Sequence, residues 1–169
     1  FILYDRNKLI NYLIISALPL YFISLLEDLN IYSNILLRLI SILFSLLIVI
    51  FSFEINLNNI DVWIIDKFLE NKTIAIIFTL ITITAFINGM NFIDGFNGLA
   101  PISAIYSLVG LGFLSFLNDQ HLITEICILN ILLILVFLIF NFPLGKIFLG
   151  DAGAYLIGFV ISFVSIYLS

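Results

Sequence analysis

Apolar residues dominate this chain in six long runs, each closed by a short polar segment. The runs cover about Leu9–Leu26, Ile35–Phe53, Thr73–Ile87, Ile102–Leu117, Leu122–Phe140 and Ala152–Leu168. Each approaches the roughly 20 residues that carry an α-helix across about 30 Å of hydrocarbon. The apolar residues follow one another rather than alternating, which excludes the inside–outside pattern of a transmembrane β-barrel. The pattern predicts an all-α, polytopic transmembrane helix bundle of about six spans. Thr73–Ile87 is short, so the third span is expected to borrow residues from the Asn-rich segment after it. Pro19 is a candidate kink in the first span. The mixed segment Glu54–Lys72 reads either as an interfacial stretch carrying Trp63 or as a folded connecting loop.

Composition sharpens this picture. Of 169 residues, 63% are hydrophobic and 10% charged, against about 45–50% and 25% in soluble domains. A core of this size cannot hide that excess; a lipid solvent can, because helices satisfy their own backbone groups. The chain starts at Phe1 and stops within an apolar run at Ser169. It is therefore expected to be a single transmembrane domain, incomplete at both ends. No cleavable signal peptide is recognisable. The net charge of -5 is spread over loops, which leaves no basic surface for nucleic acid. The single cysteine, Cys127, lies in an apolar run and offers neither an intrachain disulfide nor zinc spacing.

Alternating crossings place Glu27-Asp28, Asn88–Gly98 and Asn141–Asp151 on one face of the membrane. In Asn88-Gly-Met-Asn-Phe-Ile-Asp-Gly-Phe-Asn-Gly98, the residues Asn88, Asn91, Asp94 and Asn97 recur every third position, which collects them on one side of a near-helical segment. Such polar groups between apolar spans are costly unless they line a wet cavity. Asp94-Gly95 and Asn97-Gly98 are turn dipeptides that allow close ligand approach. Asp151, in Phe148-Leu-Gly-Asp-Ala-Gly-Ala154, sits where the last helix begins. Alone it reads as an N-cap; it also suits a hard cation such as Mg²⁺ bridging to phosphates. Arg38 lies about a turn into the second run, close to an end where it can snorkel. Gly150, Ala154, Gly158 and Ser162 read as a helix-packing stripe. His121, Glu125, Asp61, Asp66 and Glu70 carry no comparable pattern, and Met90 reads as packing.

Three segments together resemble the polyprenyl-phosphate N-acetylhexosamine-1-phosphate transferases, the family that includes phospho-N-acetylmuramoyl-pentapeptide transferase. The family's acidic pair and following basic residue match Glu27-Asp28 and Arg38. Its Asn-x-x-Asn-x-x-Asp-Gly-x-Asp-Gly-Leu segment matches Asn88 to Leu99. Its Phe-Met-Gly-Asp-x-Gly-Ser segment matches Phe148 to Ala154. Glu27, Asn97 and Ala154 depart from the commoner pattern, in a way that resembles an O-antigen-type branch. The family's first helices and its His-containing loop have no counterpart in these 169 residues.

The resemblance implies transfer of N-acetylhexosamine-1-phosphate from a UDP-sugar to polyprenyl (undecaprenyl) phosphate, the first membrane step of cell-envelope polysaccharide synthesis, with Mg²⁺ or Mn²⁺ as cofactor. It implies catalytic roles for Asp28, Glu27, Asp94 and Asp151, with Asp151 as the metal ligand. Asp28 would position the lipid phosphate or take its proton, assisted by Glu27. Asn88, Asn91 and Asn97 would join Asp94 in the nucleotide pocket, Phe148 would stack on uracil, and Arg38 and Lys146 would contact phosphate. The expected partners are UDP-N-acetylhexosamine, polyprenyl phosphate and the bilayer, with a homodimer as a further candidate. The expected location is the inner (plasma) membrane with the active face cytoplasmic. The charge count alone points the other way: Arg6, Lys8, Lys67 and Lys72 lie opposite Arg38 and Lys146. The rival class is a secondary transporter, whose polar sites lie near the midplane, often in repeated halves; no internal repeat is visible here.

Overall fold

A computed structural model describes residues 6–169. Its elements are α1 (Arg6–Asp28), α2 (Ile35–Phe53), α3 (Trp63–Leu69), α4 (Lys72–Ile93), α5 (Leu99–Leu117), α6 (His121–Asn141) and α7 (Gly150–Leu168). The fold is all-α, with no strand among the described residues. All but α3 are long and apolar enough to cross a membrane. The chain groups into two compact units, one running through Phe86 and one over Ile87–Leu168.

In the first unit, local signals set the helix ends. Asn34 caps α2, its Oδ1 accepting from Leu36 N at 2.9 Å and Leu37 N at 3.4 Å. Asn71 does the same for α4 through Thr73 N at 3.0 Å. Each cap satisfies donors that the helix cannot pair internally. α1 runs through Pro19 as one helix. It packs on α2; Leu9, Ser16, Leu20 and Ser24 are buried on α1, and Ile42, Leu46, Val49 and Phe53 on α2, each set at helical spacing. Tyr12 meets Phe53 edge-on at 5.9 Å. The Glu54–Lys72 stretch contains α3, where Trp63 and Phe68 are exposed and Leu69 is buried. Leu57 N is tied to Thr79 Oγ1 at 2.9 Å.

In the second unit α7 is the most enclosed helix, burying Ala154, Tyr155, Gly158, Phe159, Ser162 and Phe163. α5 packs against both α6 and α7. α5 meets α6 closely at Gly112, where an added Cβ would stand 3.2 Å from Cys127 Cβ. The stripe read as packing does pack at Gly158, where a Cβ would lie 3.2 Å from both Ile87 Cα and Met90 Cβ. Several helix ends overrun the hydrophobic runs, two of them around the Asn-rich segment. α4 continues through Asn88 and Asn91 to Ile93, and α5 starts at Leu99. In α4 the backbone hydrogen-bond ladder continues through Asn88 and Asn91, and in α5 it starts with the apolar Leu99 and Ala100 that lie just ahead of the run.

Candidate active site

The polar centre of the second unit forms where α4 ends and α7 begins. Asn88 and Asn91 occupy the last two turns of α4, both half-buried, and Asp94 follows at once, its N–H bonded to the Asn91 carbonyl at 3.2 Å. Asp151 lies in the first turn of α7, behind Gly150, whose φ of 70° favours glycine. Across this junction Asn91 Nδ2 donates to Asp151 Oδ1 at 2.7 Å. Burial first, and then the charge of Asp151, pushes the Asp94 carboxyl from 3.8 up to about 6. Like charges sharing a partly desolvated site raise one another's cost of ionisation. The three residues Asn91, Asp94 and Asp151 thus form one electrostatic unit.

A second cluster locks the α4–α5 turn to the segment between α6 and α7. Asn141, at the end of α6, is buried. Its Oδ1 accepts from Gly98 N at 2.7 Å and its Nδ2 donates to the Ile147 carbonyl at 2.9 Å. Both functions of the carboxamide are used, one on each segment. Gly98 has φ 82°, and a Cβ there would come within 2.9 Å of the Phe142 ring. Gly145, with φ 58°, lies under Asn97: its added Cβ would meet Asn97 Nδ2 at 2.6 Å. Asn97 is exposed, as are Lys146 and Phe148. Sequence alone does not single out Asn141. An Asn closing an apolar run looks like an ordinary boundary, and the only available signal was its place just ahead of Phe142-Pro143.

Glu27, Asp28 and Arg38 belong to the first unit. Arg38 Nη1 lies 3.6 Å from Glu27 Oε2, and the Glu27 side chain is only 6% exposed. Ser33 Oγ reaches Glu27 Oε1 at 3.5 Å. Asp28, the last residue of α1, is exposed. Glu27 thus lies beside the basic residue of the next helix. Among the described residues no group of three or more His, Cys, Asp or Glu side chains is arranged to hold a metal.

Six membrane-length helices among the described residues, and a centre of carboxylates and carboxamides at helix ends, define a multi-pass membrane protein with polar groups at the span termini. The chain belongs to glycosyl transferase family 4, whose profile matches residues 10–169. Similar curated proteins include the phospho-N-acetylmuramoyl-pentapeptide-transferase of Streptococcus thermophilus, 36% identical over 93 residues, which are 55% of this chain and 27% of the relative. Those of Streptococcus agalactiae and Staphylococcus carnosus are 34% and 31% identical over 101 and 98 residues. These matches take in 60% and 58% of this chain and 30% of each relative. The matched part of the chain thus spans less than a third of the length of these relatives. No solved structure matches.

Proposed function

We propose that the protein takes part in transferring a sugar phosphate from a UDP-N-acetylhexosamine to polyprenyl phosphate, in the inner membrane and from its cytoplasmic side. The observation that carries this reading is the Asn91–Asp94–Asp151 centre at the junction of α4 and α7, together with membership of the family. An oxygen of the lipid phosphate would attack the sugar-bearing phosphorus of the UDP-sugar. The bond to the UMP oxygen would break, and UMP would leave with the electron pair.

Two anionic substrates cannot meet beside two carboxylates without a counter-charge. The pair Asp94 and Asp151 is a donor set that a hard cation relieves, and one or two carboxylates plus substrate phosphates is the usual setting of Mg²⁺. Asp151 would hold it, with Asp94 close by. Bound there, Mg²⁺ or Mn²⁺ would neutralise charge on the diphosphate and on the leaving oxygen. The chain's own residues supply orientation. Exposed Phe148 offers a ring for the uracil face, and Lys146 a cation for phosphate. Asn88 and Asn97 are assigned to the nucleotide. Glu27, Asp28 and Arg38 are assigned to the lipid phosphate. A phosphate with second pKa near 6 needs little proton removal at pH 7, so Asp28 acts chiefly by positioning. The departures at Glu27, Asn97 and Ala154 support an O-antigen-type branch.

A transporter would place such groups near the midplane, whereas Asp94 and Asp151 lie at helix ends. The deciding experiment is isotope exchange on the full-length protein. Labelled UMP is mixed with a panel of UDP-sugars, undecaprenyl phosphate and Mg²⁺. Label should enter one UDP-N-acetylhexosamine only when lipid phosphate and cation are both present. Absence of exchange with every sugar tested would refute the assignment.

A further inference from the structure

Asn91 stands in the sequence pattern as one of several nucleotide contacts, yet its carboxamide nitrogen is committed inside the protein. It donates to Asp151 Oδ1 at 2.7 Å, joining residues 60 apart in the chain. The approach that permits this bond is built into α7. Gly158 lies about two turns below Asp151, and the absence of a side chain there lets Ile87 and Met90 of α4 come against its backbone. With the helices that close, the short stem of Asn91 spans the remaining gap. An amide nitrogen can only donate and a carboxylate oxygen accepts, so the bond fixes where Asp151 Oδ1 points. A donor to an anionic acceptor also makes one of the stronger protein hydrogen bonds.

We propose that Asn91 is a positioning residue for Asp151, holding its carboxylate in one orientation for the divalent cation. This rests on the reading of Asp151 as the cation ligand. Partners that orient a metal-binding side chain commonly change metal affinity by about 10–100-fold when removed. A residue that instead touches the nucleotide would change the Michaelis constant for UDP-sugar and leave cation affinity alone. A residue that merely ties two helices would change the melting temperature and neither binding constant.

The test uses full-length protein in nanodiscs, with Mn²⁺ as the probe and its electron paramagnetic resonance signal as the readout of binding without substrate. Asn91→Ala should weaken Mn²⁺ binding by about 10–100-fold. Its Michaelis constant for UDP-sugar, measured at saturating Mn²⁺, should stay at the wild-type value. If Asn91→Ala does not fold, Asn91→Gln keeps the donor on a longer stem and should weaken Mn²⁺ binding by about tenfold, the low end of that range. Wild-type Mn²⁺ affinity in the variant, with Asp151→Asn abolishing binding, would overturn the role of Asn91 and leave the cation site standing. Wild-type protein that binds no Mn²⁺ would overturn both. A raised Michaelis constant for UDP-sugar at saturating Mn²⁺ would return Asn91 to the nucleotide pocket and overturn the positioning role.

Discussion

Replacing Asn141 by Ala removes a side chain that bonds both the α4–α5 turn and the α6–α7 segment. Its two hydrogen bonds have unequal worth. Gly98 is buried, so its N–H, now without Asn141 Oδ1, has no ready replacement, and a stranded donor costs about 1–3 kcal/mol. Ile147 is exposed, so its carbonyl can turn to water and the loss there is about 0.5–1.5 kcal/mol. Together the variant should lose about 2–4 kcal/mol. At roughly 2–4 °C per kcal/mol for a chain of this size, the melting temperature should fall by about 4–16 °C. The assay is a thermal melt of purified protein in one detergent, with Asn130→Ala as the reference. Asn130 Nδ2 bonds only its own helix, at the Ile126 carbonyl, and its removal should shift the melt little. Asn141→Asp adds a discriminating case. It keeps the acceptor for Gly98 N but sets a carboxylate oxygen against the Ile147 carbonyl, so it should be the less stable variant at pH 8 and recover towards pH 4, where a protonated carboxyl again donates. If Asn141→Ala melts within about 1 °C of wild type, well under the expected fall, the two bonds do not hold these segments together and the reasoning fails.

Four further outcomes follow from the structure. Single cysteines at Ser33, Asn97 and Lys146, in a Cys127→Ser background, should react with an impermeant maleimide from the cytoplasmic side, and those at Asn59 and Asn118 only from the other; labelling of 33 and 118 from one side would break the crossing count. Asp151→Asn should abolish transfer with the fold intact if the carboxylate binds the cation, whereas a mere helix cap would tolerate Asn; turnover is the measurement. Asp94, held up at about 6 from 3.8, binds its proton more tightly when folded, so its stabilising effect is complete below about pH 4 and lost as pH rises through about 6. Discounted for solvent around a half-exposed group, that is about 1 kcal/mol or less, and the cation-free melting temperature should fall from pH 5 to pH 7.5 in wild type but less in Asp94→Asn. Asn97→Gly should raise the dissociation constant for UDP-sugar by about five- to twelve-fold if the amide contacts uracil, the equivalent of one neutral hydrogen bond, and leave it unchanged if the residue only packs over Gly145.

The helices were legible because lipid imposes a single strong rule on sequence: a run of about twenty apolar residues has few alternatives. Asn88, Asn91 and Asp94 were legible as a set because their spacing of three is a helical spacing. α3 was not, since seven residues mixing Trp63, Ile64 and Phe68 with Asp66 and Lys67 give no decisive period. What the sequence does not encode locally is which polar group meets which. Asn91 and Asn141 look alike on paper, as amides at the ends of apolar runs. One turns to a carboxylate and the other to two backbone groups, and in each case the choice depends on a glycine far along the chain, Gly158 or Gly98. The pairing of Arg38 with Glu27 was equally open, because the neighbouring Asp28 offers the same charge.

The hydroxyl groups of the spans bear on how such a protein is made. Ser16, Ser24, Ser41, Thr79, Ser107 and Ser162 each bond to a carbonyl three or four residues back in their own helix. A hydroxyl so bonded meets its hydrogen-bonding need inside its own helix and needs no neighbour for it. The amides at the ends of α4 and α6 follow a different timetable. Asn91 waits for a residue translated 60 positions later, and Gly98 for a side chain 43 positions later. The polar centre can therefore be complete only once α7 is present. A nascent chain stalled before Asp151 would hold its preceding spans in the bilayer with the centre still open to water.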